Sequence, residues 1–442
     1  MKKAPMFSFT TALFRRKATR ALRKGTRWNS KSWRARKVPR LATSSRLRSL
    51  TASVHSVSNP ALRLGFLLPS IIPHMDRRQF VSFAAQASAL AFIAPHSFAQ
   101  TATPDIAALY KNALVIDTLC APFATDDFPP ADNALQQVRG SGFTAINTTI
   151  SDRTYEGTIQ TLARIHSYVE RYPELFSIVI KRSDIDRAKR ENKVCIMLGF
   201  QYTSFFEEDV SRIEVFRDLS VRIMQLTYNL RSTFGDGCLE SENSGLSRAG
   251  HDLVKKMNAI GIAVDASHSG YRTTSDAIAG SAKPILISHS GCAAVSAHPR
   301  NKPDEILKAL ADRGGYFGVY LMPYLVASPT VPTREHVMAH LLHAINVCGA
   351  DHVGIGSDGS IEAVHLTDEQ KKAFDEDIAR RKKLGIGAPG EDRYPYVPDV
   401  NGPNHMELIA SELQKRGQPS SVIEKVLGAN FYRVIGDIWG TA

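Results

Sequence analysis

Two histidines each follow a short apolar segment of the chain. In "GIAVDASHSG" the run from Ile262 to Ala266 leads to His268, and in "PILISHSG" the run from Ile285 leads to His289. A single histidine at a strand end usually makes an ordinary hydrogen bond, but two in equivalent positions indicate a shared role. Neutral imidazole is a preferred zinc ligand, so the pair favours a metal site. The alternative is that both histidines only hydrogen-bond to neighbouring groups.

Three oxygen-bearing side chains end other runs of the same kind. Asp117 ends "NALVID", Gln201 ends "KVCIMLGFQ", and Asp358 ends "DHVGIGSDG". Taken singly, either aspartate could cap a helix and the glutamine could pair with backbone amides. Taken with the histidines, they favour a metal-assisted hydrolase, in which one coordination position is kept for water. Because side chains alternate along a strand, Asp117 is expected one layer below the ion, where a buried hydrogen-bonding role competes with ligation.

The residues between these sites form a regular alternation. Three more apolar runs, "FTAINTTI", "VRIMQLTYN" and "GGYFGVYLMP", bring the number of strand candidates to eight. Segments with helical spacing separate them, for example "GTIQTLARIHSYVERYP" and "SRAGHDLVKKMNAIG". Apolar strands alternating with amphipathic helices indicate a parallel sheet covered by helices. Eight such units predict a (β/α)8 TIM-type barrel, whose active site lies at the carboxyl ends of the strands.

The composition limits the classes of partner. The net charge of +12 arises in residues 1–74, which hold 17 basic and no acidic residues, while the remainder has 38 basic against 43 acidic residues. The predicted barrel is therefore mildly acidic and has no electrostatic basis for binding nucleic acid. No apolar run is long enough to span a membrane. The five cysteines are odd in number and lack C-x-x-C spacing, which excludes a disulfide framework or a cysteine zinc site.

The N-terminal hundred residues resemble targeting sequence. Residues 75–100 combine Arg77-Arg78, an apolar stretch and the small residues Ser97 and Ala99, which is typical of a twin-arginine signal peptide. We expect a periplasmic protein whose mature chain, a barrel domain over 101–442, begins near Gln100. The basic segment 1–74 is then outside the mature protein, with an organellar transit peptide as the alternative. A short amphipathic helix is the alternative for residues 75–100.

Several segments resemble the membrane dipeptidase (renal dipeptidase) family of amidohydrolase-type barrels. The similarity runs from about Asn112 to Asp437 and includes "GLSRAGHDLVKKMNAIGIAVDASHSG", "PILISHSGCAAVSAHPRNKPDEILKALADRGG" and "VIEKVLGANFYRVIGD". The resemblance implies hydrolysis of a dipeptide or similar small amide. It also implies site roles for matching residues: zinc ligation by His268 and His289, substrate carboxylate binding by Arg300, proton transfer by Asp358, and substrate contacts from Tyr228 and Asn229.

The chain departs from the family pattern at the second metal. The first strand normally ends in Asp-Gly-His-Asn-Asp, whereas residues 117–121 read Asp-Thr-Leu-Cys-Ala. Gln201 stands where a glutamate bridges two zinc ions, and Tyr228 replaces a histidine. We therefore predict at most one Zn²⁺, held by His268 and His289 with help from Asp358 or Gln201, and with Asp117 as a further candidate ligand.

Residues 362–400 interrupt the barrel pattern after the eighth strand. They are charged and then rich in Pro and Gly, so they form an insertion that either covers the site or extends into solvent. Three functions remain open at this point: a metallodipeptidase-like hydrolase, a barrel hydrolase acting on a lactone or cyclic amide, and a catalytically silent binding protein. The expected partner is a small molecule with a free carboxylate, with a homodimer as a candidate assembly.

Overall fold

The computed structural model describes residues 105–440 apart from 153, 202, 204–208 and 384–388. The basic segment 1–74 and the signal at 75–100 lie outside the described residues. Within the described part, eleven strands follow one another along the chain. They are β1 (Ile116–Asp117), β2 (Cys120–Ala121), β3 (Ala145–Thr149), β4 (Phe176–Ile178), β5 (Val194–Phe200), β6 (Val221–Gln225), β7 (Ala263–Asp265), β8 (Leu286–Ser290), β9 (Tyr316–Val319), β10 (Val353–Ile355) and β11 (Gly359–Ser360).

Eight of these strands form the wall of a parallel barrel in the order β1-β3-β5-β6-β7-β8-β9-β10. The barrel closes between its last and first strands, where the Thr118 amide donates to the Ile355 carbonyl at 3.0 Å. The short strands β2 and β11 pair in parallel just above this seam. All seven residues of β5 are buried, as expected for a strand covered on both faces. The predicted (β/α)8 barrel is confirmed.

Thirteen α-helices accompany the strands in the described residues. Typical helix signals mark their ends: the Ser247 hydroxyl accepts from the Gly250 amide at the start of one helix, and Gly261, with φ of 70°, ends it. The α-helices are α1 (Ile106–Asn112), α2 (Asp132–Gly140), α3 (Tyr155–Arg171), α4 (Ser183–Glu191), α5 (Arg212–Asp218), α6 (Arg248–Ile260), α7 (Tyr271–Gly280), α8 (Asp304–Asp312), α9 (Arg334–Cys348), α10 (Asp368–Lys383), α11 (His405–Lys415), α12 (Ser420–Glu424) and α13 (Asn430–Trp439).

In addition to one strand in each of the eight predicted runs, the structure contains the short strands β2, β4 and β11. Strand β4 pairs with the start of β5 outside the barrel order, and α4 follows it. The insertion after the eighth barrel strand contains α10, which buries Phe374 and Arg381 although its sequence is mostly charged. Among the described residues, no helix is both long and apolar enough to cross a membrane.

Candidate metal centre and active site

The carboxyl ends of four barrel strands bring four of the predicted residues together. His268 lies three residues after β7, His289 lies within β8, and their Nε2 atoms are 3.0 Å apart. Gln201 directly follows β5, and its amide nitrogen is 3.4 Å from His289 Nε2. The same nitrogen is 3.5 Å from Asp358 Oδ1, at the distance limit of a hydrogen bond. These side chains form a continuous row across the barrel mouth.

The loop after β10 fixes the position of Asp358. Its backbone adopts φ of 57°, which is uncommon for a residue with a side chain, and its amide donates to the Leu119 carbonyl at 2.8 Å. Burial raises the pKa of the Asp358 carboxyl to about 7, while the positive charge of Arg300 and the hydrogen bond from Gln201 oppose the rise. A carboxyl with this pKa can take up and return a proton near neutral pH.

Both histidines are buried and uncharged. His268 is 3% exposed and His289 is 0% exposed. Burial, and next the charge of Arg300, hold the pKa of each imidazole well below its ordinary value. Tyr228 stacks on His268 with ring centroids 4.1 Å apart, which fixes the plane of that imidazole. Neutral imidazole is the form that binds a metal ion.

Hydrogen bonds determine which imidazole nitrogens carry protons. The Ser288 hydroxyl has a single proton, which it donates to Asp265 Oδ2 at 2.5 Å. His289 Nδ1, 2.8 Å from the same hydroxyl, must therefore be the donor in that contact. His268 Nδ1 donates at 2.6 Å to Asn229 Oδ1, an amide oxygen that can only accept. Both Nε2 atoms are left as lone pairs that face each other.

Two facing lone pairs in a buried site can hold a cation between them, in place of the hydrogen bonds that reach them from Arg300 and Gln201. Zinc–nitrogen bonds of about 2.0–2.1 Å can reach both Nε2 atoms from one point. Rotating the Gln201 amide by 180° would present its oxygen to the same point, because the two amide ends are interchangeable. Within the described residues, no group of three or more His, Cys, Asp and Glu side chains could hold a metal. A divalent ion at this point would be held by the two imidazoles and an amide oxygen rather than by a cluster of carboxylates.

Arg300 lies directly beside the histidine pair. Its guanidinium donates to the carbonyls of Ser267 and His289 and, at 3.2 Å, to His268 Nε2. One lone pair cannot serve a guanidinium and a metal ion together, so an ion at His268 requires this last hydrogen bond to break. The released N–H group would then be available to another acceptor in the mouth.

Asp117 lies apart from this row, in a separate hydrogen-bonded cluster. Its Oδ1 accepts the amides of Leu119 and Ser357, and its Oδ2 lies 3.2 Å from His405 Nε2. His405 begins helix α11, and its Nδ1 contacts the Gly402 carbonyl. The structure thus gives Asp117 the buried, hydrogen-bonded role that the strand alternation had offered as the alternative to ligation.

A cavity opens over His268 and is walled on one side by the insertion. Burial of Arg381 against Glu391, 2.5 Å apart, holds α10 against the segment that follows it. The insertion therefore covers one side of the mouth. The residues that line the cavity include, from the barrel, Tyr228, Asn229, His268, Arg300, Met322 and Asp358, and, from the insertion, Val364, His365, Leu366, Gln370, Arg381, Glu391, Arg393 and Pro395.

Sequence reasoning missed several residues that support this site. Asp265 and Ser288 orient His289, and Arg381 and Glu391 belong to the cover. Lys302, two residues after Arg300, is fully buried, and burial lowers its pKa to about 7. Only Asp265 could have been identified from the sequence, because a charged residue inside the apolar run "IAVDASH" is unusual. The partners of the others depend on contacts between distant segments.

A parallel barrel with a histidine pair and an acidic residue in its mouth is the arrangement of metal-dependent barrel hydrolases. The family model of membrane dipeptidases, peptidase family M19, matches residues 131–373. The dipeptidase verJ of Clonostachys rogersoniana is 31% identical over 302 residues, which is 66% of this chain and 69% of that protein. The dipeptidase tcpJ of Claviceps purpurea is 28% identical over 64% of this chain and 60% of its own length.

The fold of this chain is also similar to that of a solved amidohydrolase structure. A crystal structure of an amidohydrolase from Pseudomonas aeruginosa covers 76% of this chain and all of its own, with a TM-score of 0.66 and 30% identity. The chain belongs to the membrane dipeptidase family, and it is a dipeptidase-like hydrolase. The predicted family is confirmed.

Proposed function

We propose that the protein hydrolyses dipeptides or closely related small amides with a single bound Zn²⁺. The observation that carries this proposal is the pair of lone pairs 3.0 Å apart on His268 and His289, both buried and both neutral. The two relatives described above are named dipeptidases, which supports the same substrate class. His268 and His289 would hold the ion with the Gln201 amide oxygen as a third donor.

Arg300 is proposed to bind the substrate's carboxylate. The guanidinium is 2% exposed and its N–H groups face the histidine pair at the base of the cavity. A planar guanidinium can bind a carboxylate through two parallel hydrogen bonds, whereas a lysine offers only a point charge. The side chains of Tyr228 and Asn229 line the same cavity and would contact the remainder of the substrate.

Asp358 is proposed to move the proton. Its carboxyl lies beside Gln201, and its pKa of about 7 suits a group that accepts a proton from water and returns it to the leaving amine. When bound, zinc would polarise the scissile carbonyl and lower the pKa of its water. The insertion would limit the access of bulk water from the side of the mouth that it covers, which strengthens the interaction of Arg300 with an anionic substrate.

Metal analysis combined with a substrate panel tests this function. Gently purified protein should contain close to one equivalent of zinc and hydrolyse unblocked dipeptides, and His289→Ala should lose both. Two equivalents would contradict the single-ion site, and full activity after chelation would contradict metal catalysis. If the protein contained zinc but hydrolysed only lactones or cyclic amides, its substrates would belong to that class instead. If it bound dipeptides without hydrolysing them, it would be a catalytically silent binding protein.

Export through the twin-arginine route is proposed for localisation. The support is the sequence between Met75 and Gln100, in which two arginines precede an apolar stretch and small residues. Mass spectrometry of the native protein should find a mature N-terminus near Gln100 in the periplasmic fraction. An intact Met1 on cytoplasmic protein would refute the proposal.

A further inference from the structure

A buried carboxylate that the proposed reaction does not use lies behind the histidine pair. Asp265 is 1% exposed, at the end of β7, and faces the neighbouring strand β8. Its Oδ1 accepts the backbone amides of Ser267 and Ser288 and the hydroxyl of Ser267. Its Oδ2 accepts the Ser288 hydroxyl at 2.5 Å. Two backbone amides and two hydroxyls thus converge on one carboxylate.

The Ser288 hydroxyl connects this carboxylate to the proposed metal ligand. Because its only proton points to Asp265, the hydroxyl oxygen can only accept from His289 Nδ1. The imidazole is consequently protonated at Nδ1 and presents a lone pair at Nε2. If the hydroxyl instead pointed at His289, the imidazole would carry its proton at Nε2. That proton would occupy the 3.0 Å gap to His268 and block the ion.

We infer that Asp265 is a positioning residue that sets metal affinity by holding the Ser288 hydroxyl away from His289. The inference rests on the proposed zinc site and extends it to a residue that touches neither ion nor substrate. Groups that orient a metal-binding imidazole typically change metal affinity by about 10–100-fold when they are removed. The direction of one hydroxyl proton would therefore set how tightly the barrel mouth binds metal.

The substitution Asp265→Asn tests this inference. An asparagine amide can donate to the Ser288 oxygen, which turns the hydroxyl proton toward His289 and protonates Nε2. Zinc affinity, measured by competition with a chelator, should fall about 10–100-fold. Ser288→Ala should weaken zinc by a similar factor, because His289 Nδ1 loses its acceptor. The double variant should be no weaker than Ser288→Ala alone, because Asp265 acts only through Ser288.

A matched control separates positioning from general loss of stability. Asp184 is also buried and accepts two backbone amides, those of Ile180 and Lys181, but it lies at the start of α4. Asp184→Asn should lower the thermal unfolding temperature and leave zinc affinity unchanged. Additive losses in the Asp265 and Ser288 pair, or an Asp265→Asn protein with wild-type zinc affinity, would overturn the inference.

Histidine NMR of the metal-free protein supplies a readout that does not depend on zinc. The ¹⁵N and ¹³C shifts of the His289 ring, assigned by difference with His289→Ala, should show the Nδ1–H tautomer in wild type and the Nε2–H tautomer in Asp265→Asn. The same tautomer in both proteins would refute the role of Asp265. A wild-type protein that binds no zinc would instead contradict the proposed function, so the two failures are distinguishable.

Discussion

Replacing Gln201 with glutamate should restore a charged ligand at the metal centre. The Gln201 amide lies 3.4 Å from His289 Nε2 and 3.5 Å from Asp358 Oδ1, so a carboxylate there would stand beside both the proposed ion and the Asp358 carboxyl. The two effects have opposite signs. The new charge attracts a divalent cation, and it repels the charge that Asp358 carries when ionised.

The magnitudes indicate that attraction prevails. A carboxylate about 4 Å from a divalent ion gains ~8 kcal/mol at an effective dielectric constant of about 20. The same repulsion keeps Asp358 protonated in the metal-free variant, so ionising it 3.5 Å from the new carboxylate when zinc binds costs ~5 kcal/mol by the same relation. The difference of ~3 kcal/mol corresponds to roughly 100-fold tighter zinc binding. In the metal-free variant the same repulsion should raise the pKa of Asp358 above its value of about 7.

Chelator competition for Zn²⁺ measures this change directly. Gln137→Glu is the control, since Gln137 lies half-buried on α2, accepts the Ala363 amide and adds the same charge away from the histidines. Zinc should raise the thermal unfolding temperature of Gln201→Glu more than that of either reference protein. Equal or weaker zinc binding by Gln201→Glu would show that Gln201 does not face the ion.

Three further changes test the other site residues. Arg300→Lys should weaken the binding of a dipeptide about 10–100-fold, measured by calorimetry, and should change little the binding of the same dipeptide with an amidated C-terminus. Equal losses of affinity for both ligands would show that Arg300 does not contact the carboxylate. The kcat/KM of the wild-type protein should rise as pH increases through about 7, because ionised Asp358 is the active form. Asp358→Asn should lower the rate 10²–10⁴-fold at every pH. Asp117→Asn should reduce the free energy of unfolding, measured in urea, by about 3–5 kcal/mol and should leave the zinc content unchanged. If the folded variant instead lost its zinc, Asp117 would be a metal ligand.

The barrel strands could be predicted because each is buried on both faces and therefore apolar along its whole length. All eight predicted runs contain a barrel strand. Strand β4 was not predicted because it pairs with β5 outside the barrel wall, and the eight predicted runs already account for the eight strands of the wall. Helix α10 was read as a charged segment because only Phe374 and Arg381 are buried, too few to produce an apolar stripe.

The candidate site could be predicted only in part. His268 and His289 were found together because each follows an apolar run, a property visible within ten residues of sequence. The hydrogen bond from Ser288 to Asp265 joins residues 23 positions apart and depends on the register between β7 and β8. The contact of Arg300 with His268 depends on the conformation of a long side chain. Such contacts follow from the assembled barrel rather than from local patterns.

Because the barrel closes between its first and last strands, the site can form only after almost the whole chain has been synthesised. The Thr118 hydroxyl oxygen lies within hydrogen-bond distance of the carbonyls of Ser288 and Ile355, across sequence separations of 170 and 237 residues. Asp358 is held by the Leu119 carbonyl across a similar separation. At ribosomal rates of about 5–20 residues per second, the first strand waits ~12–50 s for its partner to be synthesised. Until then the apolar edges of the open sheet are exposed to chaperones and to other nascent chains.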